Sequence, residues 1–276
     1  MSTDQNAAPE WFKNQAAGAV VLILNLKARE FKLPESIKRM RNLRVLILTN
    51  YGVEYQTEFT NPGLLASLGK LRRIRLQQVS LPYPCKLKNV RKLSLYMCKV
   101  REAFEDNSLE FSKAMPSLVE LNIDYCKDLE RLPAGFCNIT TMKKLSISSC
   151  HKFVELPQEI WKLEKLELLR ISHCAEFKEM PESITWLKSL IFLDISYCIK
   201  LEKLPDNLGE LRSLKQLYMT NCPVNKLPES VVHMEQLEIV ICDENTYVYW
   251  EDIKACLNRG LYIKKAAQNA DLNFLF

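Results

Sequence analysis

The sequence predicts an α/β solenoid: a horseshoe of about ten short repeats, each adding one parallel strand to a concave sheet, closed by a C-terminal cap. Three observations carry this. The segments LVELNIDYCKDLERLP, MKKLSISSCHKFVELP, LELLRISHCAEFKEMP, LIFLDISYCIKLEKLP and LKQLYMTNCPVNKLP start at Leu118, Met142, Leu166, Leu190 and Leu214, a constant spacing of 24 residues. Each carries a cysteine at the same place. Within each, apolar residues alternate over a short run, as in Leu121-Asn122-Ile123, which is strand rather than helix periodicity. The shared frame, L-x-x-L-x-L/I-x-x-C-x-x-L/F-x-x-L/M-P, is the spacing of leucine-rich repeats; the fifth segment loses one residue after its cysteine.

In chain order, residues 1–19 form a polar flank, 20–242 the repeats and 243–276 the cap and tail. The flank lacks the basic start and apolar run of a secretory signal, so the chain is expected inside the cell, in the cytoplasm with the nucleus as a second compartment. Less regular upstream units give strands at Val21–Leu26, Leu43–Leu48, Leu71–Leu76 and Val90–Leu95, and Leu237–Cys242 gives the last. The apolar run Val20–Leu26 is far too short for a membrane helix and reads as a buried strand. After each Leu-Pro, proline fixes the first backbone angle of a short turn, and residues such as Ile184, Leu187 and Leu190 return the chain to the next strand. No unit buries its own leucines, so stability must come from stacking. The longest gaps, Leu48 to Leu71 and Cys98 to Leu118, are expected to be loops beyond the strands, where binding residues collect. From Asp243 the pattern stops. Tyr247, Tyr249 and Trp250 read as a cap over the last open rung, and the apolar ending DLNFLF docks either on that cap or on a partner.

Composition narrows the function. With 47% hydrophobic and 26% charged residues over 276 positions, the chain is globular, and a net charge of +5 is too small to argue for nucleic acid. GLLASLGKL, Gly63 to Leu71, has one residue too many between its glycines for a phosphate loop, and Leu71 stands where a metal-binding hydroxyl is required. His151, His173 and His233 are scattered, and neither G-x-S-x-G nor H-E-x-x-H occurs. No catalytic residue, cofactor or metal is expected; an enzyme would need a cysteine outside the repeats, for which Cys85, Cys137 and Cys256 are the spares. Cys126, Cys150, Cys174, Cys198 and Cys222 occupy the position that such repeats fill with Asn or Cys. There a thiol satisfies a backbone carbonyl at the turn leaving the strand, whereas zinc needs thiolates converging on one point rather than laid in a line. A reducing compartment argues against bridges.

The concave face displays residues that the core does not need. Early rungs offer Arg73, Arg75 and Arg91 beside Arg72 and Lys92; later ones offer Tyr125 with Asp124, Arg170, Phe192, Asp194, Tyr197 and Tyr218. Ordinary solvated charges account for the charged residues taken singly, but aromatics on an exposed sheet are protein-binding anchors. A basic end leading into an aromatic and acidic middle points to one extended protein partner.

IDYCKDLERLP, CNITTMKKLSISSCHKF, EMPESI, LDISYC and the late ICDE followed by a Trp resemble the C-terminal repeats of plant helper immune receptors, the coiled-coil, nucleotide-binding, leucine-rich-repeat receptors of the powdery-mildew-resistance type. The resemblance runs from about Ser2 through Trp250, and LTNYG with LRRIRLQQVSLP favours the N-requirement branch over the activated-disease-resistance branch. It implies docking onto a lipase-like heterodimer, the enhanced-disease-susceptibility protein with the senescence-associated protein, loaded with a small nucleotide signal. In this family the repeats and the tail supply the docking surface, which adds Trp250, Phe274 and Phe276 to the expected contacts. With no helical bundle or nucleotide-binding domain here, neither ATP hydrolysis nor membrane insertion is expected of this chain. It is either the docking domain of a helper or a truncated competitor that restrains immune signalling, including the hypersensitive response. The alternative is an intramolecular regulator, with the repeats folding back on a receptor's nucleotide-binding domain.

Overall fold

In each repeat strand, the alternate leucines and isoleucines are driven to one side, and a lone strand has nothing to bury them against. Stacking in register solves this. The structure, a computed structural model, describes residues 2–3, 18–52, 55–80, 86–105, 110–133, 135–257 and 260–266. Its strands are β1 (Ser2–Thr3), β2 (Val21–Leu26), β3 (Glu30–Phe31), β4 (Val45–Asn50), β5 (Glu58–Phe59), β6 (Arg73–Gln77), β7 (Lys92–Tyr96), β8 (Glu120–Asp124), β9 (Lys144–Ser148), β10 (Leu168–Ser172), β11 (Phe192–Asp194), β12 (Gln216–Tyr218), β13 (Ile239–Cys242) and β14 (Tyr262–Lys265). Twelve of them form one sheet in chain order, every pair parallel, while β3 and β5 pair separately. This is the leucine-rich-repeat solenoid that the spacing predicts.

The register sets like on like: Leu145, Leu169, Leu193 and Leu217 are successive neighbours, all fully buried. Each such side chain contributes about 1.5–3 kcal/mol, and none would do so in an isolated unit. Behind the strands, Phe153 and Phe177 stack at 5.9 Å and extend the core toward the convex side. There Pro34, Pro157, Pro181 and Pro228 lead into one-turn 3-10 helices, with φ of −70°, −62°, −66° and −65°. Each proline carbonyl accepts from the N–H three residues on, as in Ile184 to Pro181 at 3.0 Å.

Two expectations need correction. The region after Asp243 does not wholly leave the pattern, because the helix Glu244–Lys254 is followed by β14, which pairs with β13 through Val240 and Ile263. LYIKK lacks the leucine frame, yet its Leu261 and Ile263 are buried and satisfy the same alternation. The two long gaps are not simply loops. The first supplies β5 and the turn Pro62–Ser67; the second supplies the short helices Arg101–Glu105 and Phe111–Ala114. Phe104 meets Phe111 edge-on at 5.5 Å, and Phe111 meets Phe136 at 6.2 Å, so the second gap feeds the core. Among the described residues, no helix is long and apolar enough to cross a membrane.

Candidate protein-interaction surface

The rim where strands leave the concave sheet is built by one device repeated. Gln78, Met97, Tyr125, Ser149, His173, Tyr197 and Asn221 all hold φ between 52° and 60°, the left-handed region that disfavours side chains. The strain, about 1–2 kcal/mol per residue, is offset by pairing. The N–H of Tyr125 reaches Ser148 O at 3.0 Å, that of His173 reaches Ser196 O at 2.9 Å, and that of Tyr197 reaches Thr220 O at 2.7 Å, each on the following rung. At Asn221 the acceptor on the following rung is a side chain instead: the carboxylate of Asp243, the residue that follows β13 and leads into the helix Glu244–Lys254, at 2.5 Å. Sequence reasoning missed this column because its residue types share nothing.

The cysteine that follows binds backward. Cys126, Cys150, Cys174, Cys198 and Cys222 donate to Leu95 O, Ile123 O, Ile147 O, Ile171 O and Ile195 O at 3.9, 3.8, 3.7, 3.1 and 2.9 Å. These thiols tie each turn to the rung before it, the carbonyl role that the repeat position suggested. Cys98 does the same toward Leu76 O at 3.4 Å, an earlier member of the ladder. Burial, the first cause, lifts the Cys174 and Cys222 thiols from 9.0 to about 12.

On the concave sheet, four of the expected contact residues form one cluster. Arg170 and Asp194 are register partners, and Arg170 Nε donates to Asp194 Oδ2 at 2.9 Å. The guanidinium lies 5.5 Å from the Phe192 ring, and Phe192 meets Tyr218 edge-on at 5.0 Å. Burial and then the Asp194 charge raise the Tyr218 phenol above its usual range. Asp194 does not look outward as its column suggests. It is 7% exposed, and its Oδ1 accepts from Ser196 N at 3.0 Å. Phe192 is equally covered at 7%, so the accessible part of the cluster is Arg170 and Tyr218.

The remaining expected residues lie apart. Tyr197 sits on the rim, stacked on His173 at 4.3 Å, and Tyr125 packs edge-on against Tyr96 at 5.7 Å. Arg73 and Arg75 are exposed on β6 at the N-terminal end of the sheet, whereas Arg91 precedes β7 at the strand margin rather than in the inward columns. Trp250 is fully buried under the last rungs, so it is a core residue of the cap and offers no surface. Its Nε1 has no hydrogen-bond partner among the described residues. Phe274 and Phe276, like Cys85, lie outside the described residues.

No protein-family model matches the chain. All of it aligns at 45% identity with the probable disease resistance protein At5g66890 of Arabidopsis thaliana, covering 66% of that protein. The chain is a homologue of plant disease resistance proteins. Disease resistance protein ADR1 of the same plant is 38% identical over 130 residues, 46% of this chain and 16% of that protein. The chain thus spans less than two thirds of the length of these relatives. Among solved structures, the leucine-rich repeat domain of the type III effector XopL superposes with a TM-score of 0.58 at 19% identity, covering 91% of this chain and 78% of that one. TLR13, solved with ssRNA13, gives 0.65 at 19% identity over 94% of this chain and 38% of that one. These two likenesses establish the fold.

Proposed function

We propose that this homologue is a non-enzymatic protein-interaction module of plant immune signalling, and that it docks the nucleotide-loaded lipase-like heterodimer through its concave face. The observation that carries the reading is the Arg170–Asp194–Phe192–Tyr218 cluster. An arginine and a tyrosine, held by a buried carboxylate and a buried ring, stand mid-sheet with little conformational freedom left to lose, which is what a binding hot spot requires. Arg73 and Arg75 extend the face toward a basic end, and Tyr197 on His173 supplies an aromatic rim. The chain acts as a helper's docking domain or as its competitor; the surface is the same in both.

The test is binding of the purified chain to the purified heterodimer with and without its nucleotide signal. Tyr218→Ala together with Tyr197→Ala is expected to weaken binding by about 100-fold, the size of a double loss of hot-spot side chains. No binding of the unaltered chain, or unchanged binding by the double variant, overturns the reading.

A further inference from the structure

A second site lies on the rim, away from the Arg170–Tyr218 cluster. The insertion after β4 returns along the sheet margin, where Thr57 forms a parallel bridge with Val79. Gln56 then serves as an extra rung: its Nε2 donates to Met97 O at 2.7 Å and its Oε1 accepts from Lys99 N at 2.8 Å. The insertion and the left-handed column enclose a cleft of about 550 Å³. Tyr55, Met97 and Tyr125 line it, and Lys99, Lys127 and Lys152 stand at its edge. Tyr55 is fixed from behind, with its carbonyl accepting from Asn50 Nδ2 at 2.7 Å and Arg29 lying 5.3 Å from its ring.

The charge of this cleft is unbalanced. Several lysines elsewhere on the solenoid meet a glutamate one rung away: Lys143 with Glu167 at 2.6 Å, Lys200 with Glu176 at 2.6 Å, Lys215 with Glu238 at 2.7 Å. Among the described residues, Lys99, Lys127 and Lys152 have no such partner. Asp128, the acid at the cleft, is already committed: its Oδ2 accepts from Val100 N and Arg101 N, each at 3.0 Å, at the start of the helix Arg101–Glu105. Three unpaired ammonium groups beside two tyrosines and a methionine fit a ligand that is both anionic and apolar. A free phosphate would use the lysines alone and leave the rings idle.

We infer that this cleft is a docking site for an acidic peptide segment of a partner protein, its carboxylates on Lys99, Lys127 and Lys152 and an aromatic or aliphatic side chain against Tyr55 and Tyr125. This reading goes beyond the concave-face proposal and is tested without the heterodimer. A fluorescein-labelled peptide alternating glutamate with tyrosine is titrated with the intact purified chain by fluorescence anisotropy, against the same peptide with glutamine for glutamate. The acidic peptide is expected to bind about tenfold tighter, with the preference shrinking as salt is raised. Lys127→Glu with Lys152→Glu, two exposed positions whose exchange leaves the thermal melt in place, abolishes that preference; Tyr55→Ala weakens both peptides alike. Equal affinity for the two peptides, or an acidic preference that survives the double substitution, overturns the assignment.

Discussion

Asp194 sits in an outward-facing column and is nonetheless buried, because Arg170 on one side and the Ser196 N–H on the other close over it. Asp194→Ala therefore removes the acceptor of the Arg170 Nε–H and of a buried backbone amide. It is expected to lower stability by about 2–3 kcal/mol, read as a fall in the urea midpoint at unchanged slope. Tyr218→Ala, which strands no charge, should cost about 1 kcal/mol in the same titration. The pair thus separates packing from recognition, and Tyr218 is the cleaner probe of binding. A two-residue period shows which side of the strand a residue takes, and it identified Arg170, Phe192, Asp194 and Tyr218 together. Depth is another matter: on a concave sheet the neighbours' long side chains decide it, and Arg170 lies 24 positions away in the chain.

At the scale of the element, one glycine fixes how closely two convex turns approach. A Cβ on Gly209 would stand 1.8 Å from Ser230 O, and the Gly209 N–H donates to Ser230 Oγ at 3.0 Å. Gly209→Ala must push the turn Leu208–Glu210 off the next turn, Glu229–His233, and is expected to cost about 1–3 kcal/mol. Gly63→Ala, where nothing lies within 4 Å of the added carbon, is the control and should leave the urea midpoint within about 0.5 kcal/mol of the parent. Equal midpoints for both variants would refute the close approach. Much at this scale was legible. Leu-Pro marked the turns and the leucine frame marked the strands, because both depend on residue type. The left-handed column was not legible, since its stabilisation comes from a backbone acceptor on the next rung, whatever side chain is present. β14 escaped for a related reason: its register offset from β13, Val240 to Ile263, repeats the offset of Leu217 to Val240, but the segment has only two inward apolar residues, Leu261 and Ile263, and lacks the leucine frame that marked the other strands.

The whole solenoid is a one-dimensional stack in which each rung is held by its neighbours, so a perturbation repeated along the ladder is felt by the entire molecule. The thiols provide one. Burial, the largest cause, lifts Cys174 and Cys222 to about 12 and Cys242 to about 11, against 9.0 for a thiol in the unfolded chain. Below pH 9 both states hold these protons, and the stabilisation is fully present. Between pH 9 and 12 the unfolded chain releases protons that the folded chain keeps, so stability falls as pH rises, by up to about 1.4 kcal/mol per unit for each thiol. Urea midpoints measured from pH 8 to 11 should be level at first and then drop steeply. Replacing both Cys174 and Cys222 with alanine lowers the midpoint at pH 8, because packing and two rung-to-rung hydrogen bonds are lost, but flattens the alkaline limb by close to two protons' worth of slope, roughly 2–3 kcal/mol per unit. An alkaline limb equally steep in the double variant would mean that the ladder thiols do not carry the pH dependence, and that other titrating groups set the molecule's alkaline limit.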